Sequence, residues 1–451
     1  MAQPLRSTLL IMAMIAAGYA LTVAAFYPGY MTNDATYVYQ FMREWRFGDW
    51  QSPLMSMLWW VVDPIAPGPG SMFLLVTTLY WLGFAVIALT VARISTAFGL
   101  IVPVLALFPP AFMLLVMIWR DVLFAAVWLV AAAIVYASAA RGGAWRRTIA
   151  VLALVLVGFG VLLRPTAIVA APLLAAYAIW PRRFDWKRAA ILFVPALALG
   201  YALLHVVYYV VLDVKREHPL HSVFVFDLGG ITHFTGENQF PVAWSAQETE
   251  LLTRTCYNPD RWDTYWTMEP CRFVMQRLEQ PDDIIFGTPR LAQAWRQAAI
   301  AHPLAYLRHR LTFFVTFLAS PNAMTLELYH AHDRTKTPLA DNRLFQAVVA
   351  LHDALKPTIL FRPGFWLALA AMIGALAWPA RATPSGAFVI GTTTSATVYV
   401  LTFLPFGVAA DFRYAYWCVL ATLVATVVLF GAYIERRKAF SASAFGSRAG
   451  A

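Results

Sequence analysis

Residues 119–138 read WRDVLFAAVWLVAAAIVYAS: an Arg-Asp pair, then an apolar run, with the basic residues Arg141, Arg146 and Arg147 just beyond. A run of about 20 apolar residues in helical form spans a roughly 30 Å hydrocarbon core. Comparable runs recur on both sides of it, at 9–26, 72–91, 100–118, 149–163, 166–180, 191–211, 359–378, 386–408 and 414–434. The composition agrees: 60% of the 451 residues are hydrophobic and only 13% charged, against about 25% charged in soluble domains. A soluble globular protein, a disordered chain and a small disulfide scaffold are all excluded. The fold class is an all-α polytopic membrane protein with ten expected crossings.

The net charge of +10 does not indicate a nucleic-acid partner, because the basic residues fall in short clusters between apolar runs and carry no binding module. Those clusters set topology instead. They are Arg93, then Arg141 to Arg147, Arg182 to Arg188, Arg381, and Arg436 to Lys438. Ten crossings from a cytoplasmic residue 1 put every cluster inside, with both termini cytoplasmic. The first run exceeds the roughly 7–15 residues of a signal-peptide core, so it reads as an uncleaved signal anchor. The stretch HPLAYLRHRLTFFVTFLAS at 302–320 is apolar only in its second half. Counting it as a crossing would put Arg436–Lys438 outside, so an interfacial or re-entrant helix is expected.

The organisation follows. Residues 1–212 form an N-terminal transmembrane module, with surface helices in its first outer loop at 27–70. Residues 213–357 form an outer domain, 358–435 a C-terminal transmembrane module and 436–451 a cytoplasmic tail. In the first outer loop, Tyr37, Phe41, Met42 and Trp45 follow helical spacing, which predicts an amphipathic helix on the membrane surface ended by Gly48. Ser52-Pro53 is an N-cap and N1 pair that starts a second helix. Asp34 sits in the first turn of the first, where capping or helix-dipole charge is the bland reading. Cys256 and Cys271 bracket YNPDRWDTYWTMEP in the outer domain. An outward compartment permits a disulfide there, worth about 3 kcal/mol for such a loop; two free thiols are the alternative. No CxxC or HxxxH spacing accompanies them as a metal site would require.

Six ionisable residues, Asp34, Arg120, Asp121, Arg164, Asp411 and Arg413, come from distant runs yet fall at the same outer boundary under this topology. Charges at membrane depth usually face a bundle interior or an aqueous cavity. They read either as structural ion pairs or as a site for an anionic headgroup. Asp227-Leu228-Gly229-Gly230 with His233, Glu237 and Asn238 forms a further polar stretch, whose glycines suggest a tight turn. Glu237 is a candidate contact to sugar or acceptor; solvated loop is the plainer reading. Trp262, Tyr265 and Trp266 suit either sugar stacking or the membrane interface. His330, His332 and Asp333 lie close together without an evident fourth metal ligand.

An acidic residue in the first outer loop, here Asn33-Asp34, followed by a surface helix and Asp49-Trp50-Gln51-Ser52-Pro53, resembles the GT-C superfamily of polyprenyl-phosphate-sugar glycosyltransferases, which includes protein O-mannosyltransferases and lipid A aminoarabinose transferases. Trp119-Arg120-Asp121 is similar to their acidic second outer loop. Arg164-Pro165-Thr166, Asp411-Phe412-Arg413-Tyr414 and His302-Pro303 with Tyr306-Leu307 also match recurrent segments. The chain departs from the best-known members in lacking an adjacent Asp-Glu pair after the first run and any WWDYG-type motif.

The resemblance implies a GT-C-like bundle in a bacterial inner membrane, with its active site on the periplasmic face. It implies a polyprenyl-phosphate-linked sugar as donor and a glycan, lipid or protein as acceptor. Asp34 would be the base and Asp121 a second catalytic carboxylate, orienting acceptor, binding a cation or pairing with an arginine. Arg164 and Arg413, then Arg120, would hold the phosphate, as the planar guanidinium fork suits its oxygens, with Asp411 and Glu237 also at the substrate. Such enzymes differ in metal dependence, which leaves a divalent cation open as cofactor. The competing readings are a transporter or flippase of lipid-linked sugars and a polymerase or ligase of lipid-linked glycans. Transporters often carry repeated halves with broken helices near the midplane. No internal repeat is evident here.

Overall fold

The computed structural model describes residues 5–140, 142–319 and 339–448. His330, His332 and Asp333 lie outside them. The described residues contain helices and turns, with three isolated bridges as the only extended pairing among them.

The chain begins with α1 (Leu5–Phe26). Two short helices follow, α2 (Asn33–Glu44) and α3 (Pro53–Val62), before α4 (Pro69–Ala92). The next apolar run is broken into α5 (Thr96–Leu105) and α6 (Pro109–Phe112). Then come α7 (Arg120–Ser138), α8 (Gly143–Leu163), the short α9 (Ala171–Ile179) and α10 (Trp186–His205), which runs on as π-helix to Val211. The long polar section holds α11 (Leu220–Thr235), α12 (Ala246–Arg254), α13 (Phe273–Leu278), α14 (Pro289–Ala301), α15 (Pro303–Ala319) and α16 (Arg343–Leu355). The bundle closes with α17 (Pro363–Ala377), α18 (Pro384–Leu401), the single turn α19 (Phe403–Phe406) and α20 (Tyr416–Arg448).

Among the described residues, eight helices are long and apolar enough to cross a membrane, or nine if the pair bent by 56° around residues 106–108 is one crossing. This is a multi-pass helical membrane protein. The expected crossing at 166–180 is not a continuous helix. Pro165 starts a 3-10 turn over Pro165–Val169, and the nine-residue α9 follows, about 14 Å long at 1.5 Å per residue. Carbonyls freed by such breaks need partners inside the protein, since lipid supplies none. Tyr80 Oη donates to Ala106 O at 2.5 Å, Tyr416 Oη to Ala111 O at 2.6 Å and Ser395 Oγ to Ala170 O at 3.2 Å.

The centre of the bundle is α7, α18 and α20, which are largely buried, whereas α10 buries none of its apolar window. Alanines at 125, 126, 131, 132 and 133 let neighbours approach α7 closely. On α8, Gly160 leaves room for the Trp128 indole, which donates to Val157 O at 3.2 Å.

The two polar sections meet at one end of the bundle. Thr32 caps α2 and Ser52 caps α3, each through its hydroxyl. Trp45 in the left-handed conformation ends α2, not Gly48 as the sequence suggested. Gly48 instead pairs with Lys215, and its missing Cβ admits the Glu217 carboxylate. The buried face of α2 is Ala35, Val38 and Met42, offset from the expected stripe, so that Tyr37 and Trp45 stay exposed. The expected tight turn at Gly229-Gly230 is also absent. Both glycines lie within α11, where Tyr265 and His309 occupy the space a Cβ would take.

Cys256 and Cys271 form a disulfide, with Cα atoms 5.5 Å apart. The loop they close is fastened twice to the segment before α20. Trp262 N donates to Val408 O at 2.8 Å, and Ala410 N donates to Asp260 O at 2.7 Å. A third fastening comes from α15, where Arg310 Nη1 donates to Gly407 O at 2.7 Å.

Candidate functional site

Five helix ends and links converge where these sections meet the bundle. The first turn of α2 brings Asp34, and the link before α3 brings Trp50 and Gln51. The start of α7 brings Arg120 and Asp121, the end of α8 brings Arg164, and the link into α20 brings Asp411 and Arg413. All six boundary residues singled out in the sequence thus come together, across separations of up to 379 residues.

Arg413 is the hub. Its Nη1 lies 2.7 Å from Asp34 Oδ2 and its Nε 2.9 Å from Asp411 Oδ2. The guanidinium sits over the Trp119 ring, 4.6 Å from its centroid. Asp34 also accepts from Gln51 Nε2 at 3.1 Å. Burial pushes the Asp34 carboxyl up, but the cations Arg413 and Arg120 outweigh it and hold the group below its ordinary value. A second pair joins Arg164 Nε to Asp121 Oδ1 at 3.1 Å, both buried, with the guanidinium 4.7 Å from the Tyr414 ring centroid. Between them stands Arg120, whose Nη1 donates to Trp50 O at 3.0 Å. Among the described residues it has no carboxylate within ion-pair distance.

A cavity of about 10 Å³ opens between Asp34, Gln51, Trp119, Arg120, Asp121 and Arg413, roughly the room one water needs. Neighbouring it are three indoles, with Trp50 at 5.7 Å from Trp262 and 5.3 Å from Trp266, centroid to centroid.

Glu237 does not join this cluster. It lies exposed past the left-handed Gly236 that ends α11, with its backbone bonded to Thr235 and Gln239. The expected polar stretch around Asp227 is not a loop either, because Asp227 is fully buried on α11. Its carboxylate accepts from Trp295 Nε1 at 2.7 Å through Oδ2, while Arg310 Nε and His309 Nε2 stand 2.6 Å and 3.1 Å from Oδ1. Burial lowers the His309 imidazole against the pull of Asp227. The neutral ring faces Asp227 with Nε2, and its Nδ1 is hydrogen-bonded to Tyr257 Oη at 3.1 Å.

Sequence reading missed this buried cluster, and missed Gln51 and Asp263 as neighbours of the six. The His309-Arg310 pair in the polar half of 302–320 was its available signal. Among the described residues, no group of three or more His, Cys, Asp or Glu side chains could hold a metal ion. No family model matches the chain, and no curated protein or solved structure does so either.

Proposed function

We propose that the chain is a membrane glycosyltransferase that moves a sugar from a polyprenyl-phosphate donor to a hydroxyl of a glycan, lipid or protein, at the periplasmic face of a bacterial inner membrane. The observation that carries the reading is the unpaired Arg120 beside two carboxylate–guanidinium pairs, at the end of the bundle where the two polar sections meet it. An unmatched guanidinium in a half-buried cleft is ready for an anion such as a phosphate. This favours Arg120 as first holder of the phosphate. Arg164 and Arg413 already spend their forks on Asp121, Asp411 and Asp34.

In this reading the acceptor oxygen attacks the anomeric carbon as the bond to the phosphate oxygen breaks. Polyprenyl phosphate leaves, its charge held by Arg120 and, after exchange of partners, by Arg413. Asp34 orients the acceptor hydroxyl and takes its proton as the attack develops. Its depressed pKa keeps it ionised before substrate enters, and parting from Arg413 then raises its basicity. A single displacement inverts the anomeric centre. The cavity is too small for a sugar, so substrate must part the Asp34–Arg413 contact on entry.

The test compares envelope glycans from cells carrying wild type, Asp34→Asn and a null allele. Loss of the same sugar in Asp34→Asn and the null, at normal protein level, is expected. Glycans unchanged in both would sink the reading, and a retained anomeric configuration would sink single displacement.

A further inference from the structure

Beside the six boundary residues stands a second set of side chains that the transfer chemistry does not use. The loop between Cys256 and Cys271 carries Trp262 and Asp263 in a 3-10 turn, Trp262–Tyr265, followed by Trp266. Tyr265, fully buried against Gly229, anchors this turn to α11. The two backbone bonds to residues 408–410 fix it beside the link that bears Asp411 and Arg413. The three indoles form a closed set, with Trp262 and Trp266 5.4 Å apart and both against Trp50. Trp50 is no bystander, since its carbonyl holds Arg120 and the next residue, Gln51, holds Asp34.

Trp262 is buried, but Trp266 leaves 39% of its surface open despite these contacts. Asp263 is half-buried, and among the described residues it makes no ion pair. Burial pushes its carboxyl up against the pull of Arg261, and Asp34 and Arg413 are near enough to act on it. An open indole one turn along the chain from a carboxylate that has no described cation within ion-pair distance suits a ligand with an apolar C–H face and hydroxyls around its rim. A pyranose ring has both, stacking by its C–H face and donating hydroxyls to the carboxylate.

We propose that Trp266 and Asp263, backed by Trp50 and Trp262, form a pyranose-binding subsite next to Asp34. It deepens the transferase reading, on which it rests for the identity of the ligand as donor or acceptor sugar. The disulfide and the backbone bonds to 408–410 hold this subsite in register with Arg413. A sugar seated on Trp266 therefore lies beside the Asp34–Arg413 contact that must part.

The experiment is saturation-transfer NMR on the full chain in nanodiscs free of sugar detergents, with methyl glucoside, galactoside and mannoside and their 2-amino analogues as probes. At least one probe is expected to bind wild type. Trp266→Ala and Asp263→Asn should each weaken it by about threefold to tenfold, the scale of one lost stacking or polar contact. Trp266→Phe, which keeps an aromatic face, should recover most of the affinity, whereas a merely structural role would not track aromaticity. No binding to wild type, or equal binding to wild type and Trp266→Ala, overturns the subsite. So does a Trp266→Ala protein whose only change is weaker partitioning to lipid, the mark of an interface anchor. Binding that depends on Trp266 while Asp34→Asn leaves glycans intact would keep the subsite and reject the transferase. Loss of transfer in Asp34→Asn with Trp266-independent binding would do the reverse.

Discussion

Replacing Asp227 by Ala should destabilise the polar section more than any other single polar deletion in it. The carboxylate is fully buried with three donor nitrogens 2.6–3.1 Å from its oxygens, one of them, from Trp295, in a hydrogen bond. Only Arg310 among those donors is charged, because burial keeps His309 neutral. Asp227→Ala therefore strands one buried cation, for which about 3–5 kcal/mol is the usual cost. For a cooperative unit of 150–250 residues that is a fall of roughly 6–20 °C in Tm. Thermal unfolding in nanodiscs, followed by intrinsic fluorescence, measures it. Asp227→Asn should fall between, since its amide oxygen still accepts from Trp295 while the charge is gone. The double change Asp227→Leu with Arg310→Met should recover much of the loss, because it removes both charges together. A Tm for Asp227→Ala within about 2 °C of wild type, or a double variant no better than the single, would refute the idea that an uncompensated buried charge sets the cost.

On the proposed function, Arg413→Lys should cut sugar transfer by about tenfold or more, because one ammonium cannot reproduce a fork that meets Asp34 and Asp411 from two nitrogens; wild-type glycan levels in that variant would count against the hub. Removing the disulfide with Cys256→Ser and Cys271→Ser should cost about 3 kcal/mol for a separation of 15 residues, read as a lower Tm that is insensitive to reductant. A pH effect is expected at His221. Burial, helped by His218, lowers its imidazole from 6.5 to about 4, and Nδ1 accepts from Gly287 N at 3.1 Å. The unfolded chain then binds the extra proton between those values, so stability falls as pH drops from about 6.5 to 4 and levels off below. In His221→Asn that part of the Tm–pH slope should disappear, and an unchanged slope would assign it to other groups.

Most of the frame was legible in the sequence because a membrane-crossing helix is a local signal: a run of apolar residues of fixed length bounded by charges. The same locality explains the failures. Residues 166–180 are apolar enough to be read as one crossing, yet Pro165 starts a tight turn that composition averages away. The glycines after Asp227 looked like a turn because nothing nearby reveals that Tyr265 and His309 occupy the space beside them. The six boundary charges could be grouped from depth alone, but their pairing could not. Whether Arg413 meets Asp34 or Asp121 depends on helix rotations and on the Gln51 and Trp119 side chains. The sequence ranks Arg164 and Arg413 above Arg120, whereas in the fold the first two face carboxylates and Arg120 does not.

The fastening of residues 407–410 from the polar section has a consequence for chimaeras. Gly407, Val408 and Ala410 are all held through their backbone atoms by that section, the first by the Arg310 side chain, and Arg413 follows three residues after Ala410. A homologous outer segment cannot be transplanted as an independent cap, because the donor of one sequence would set the seat of the arginine in the other. Segment exchange should keep residues 256–310 and 407–413 as one inherited block.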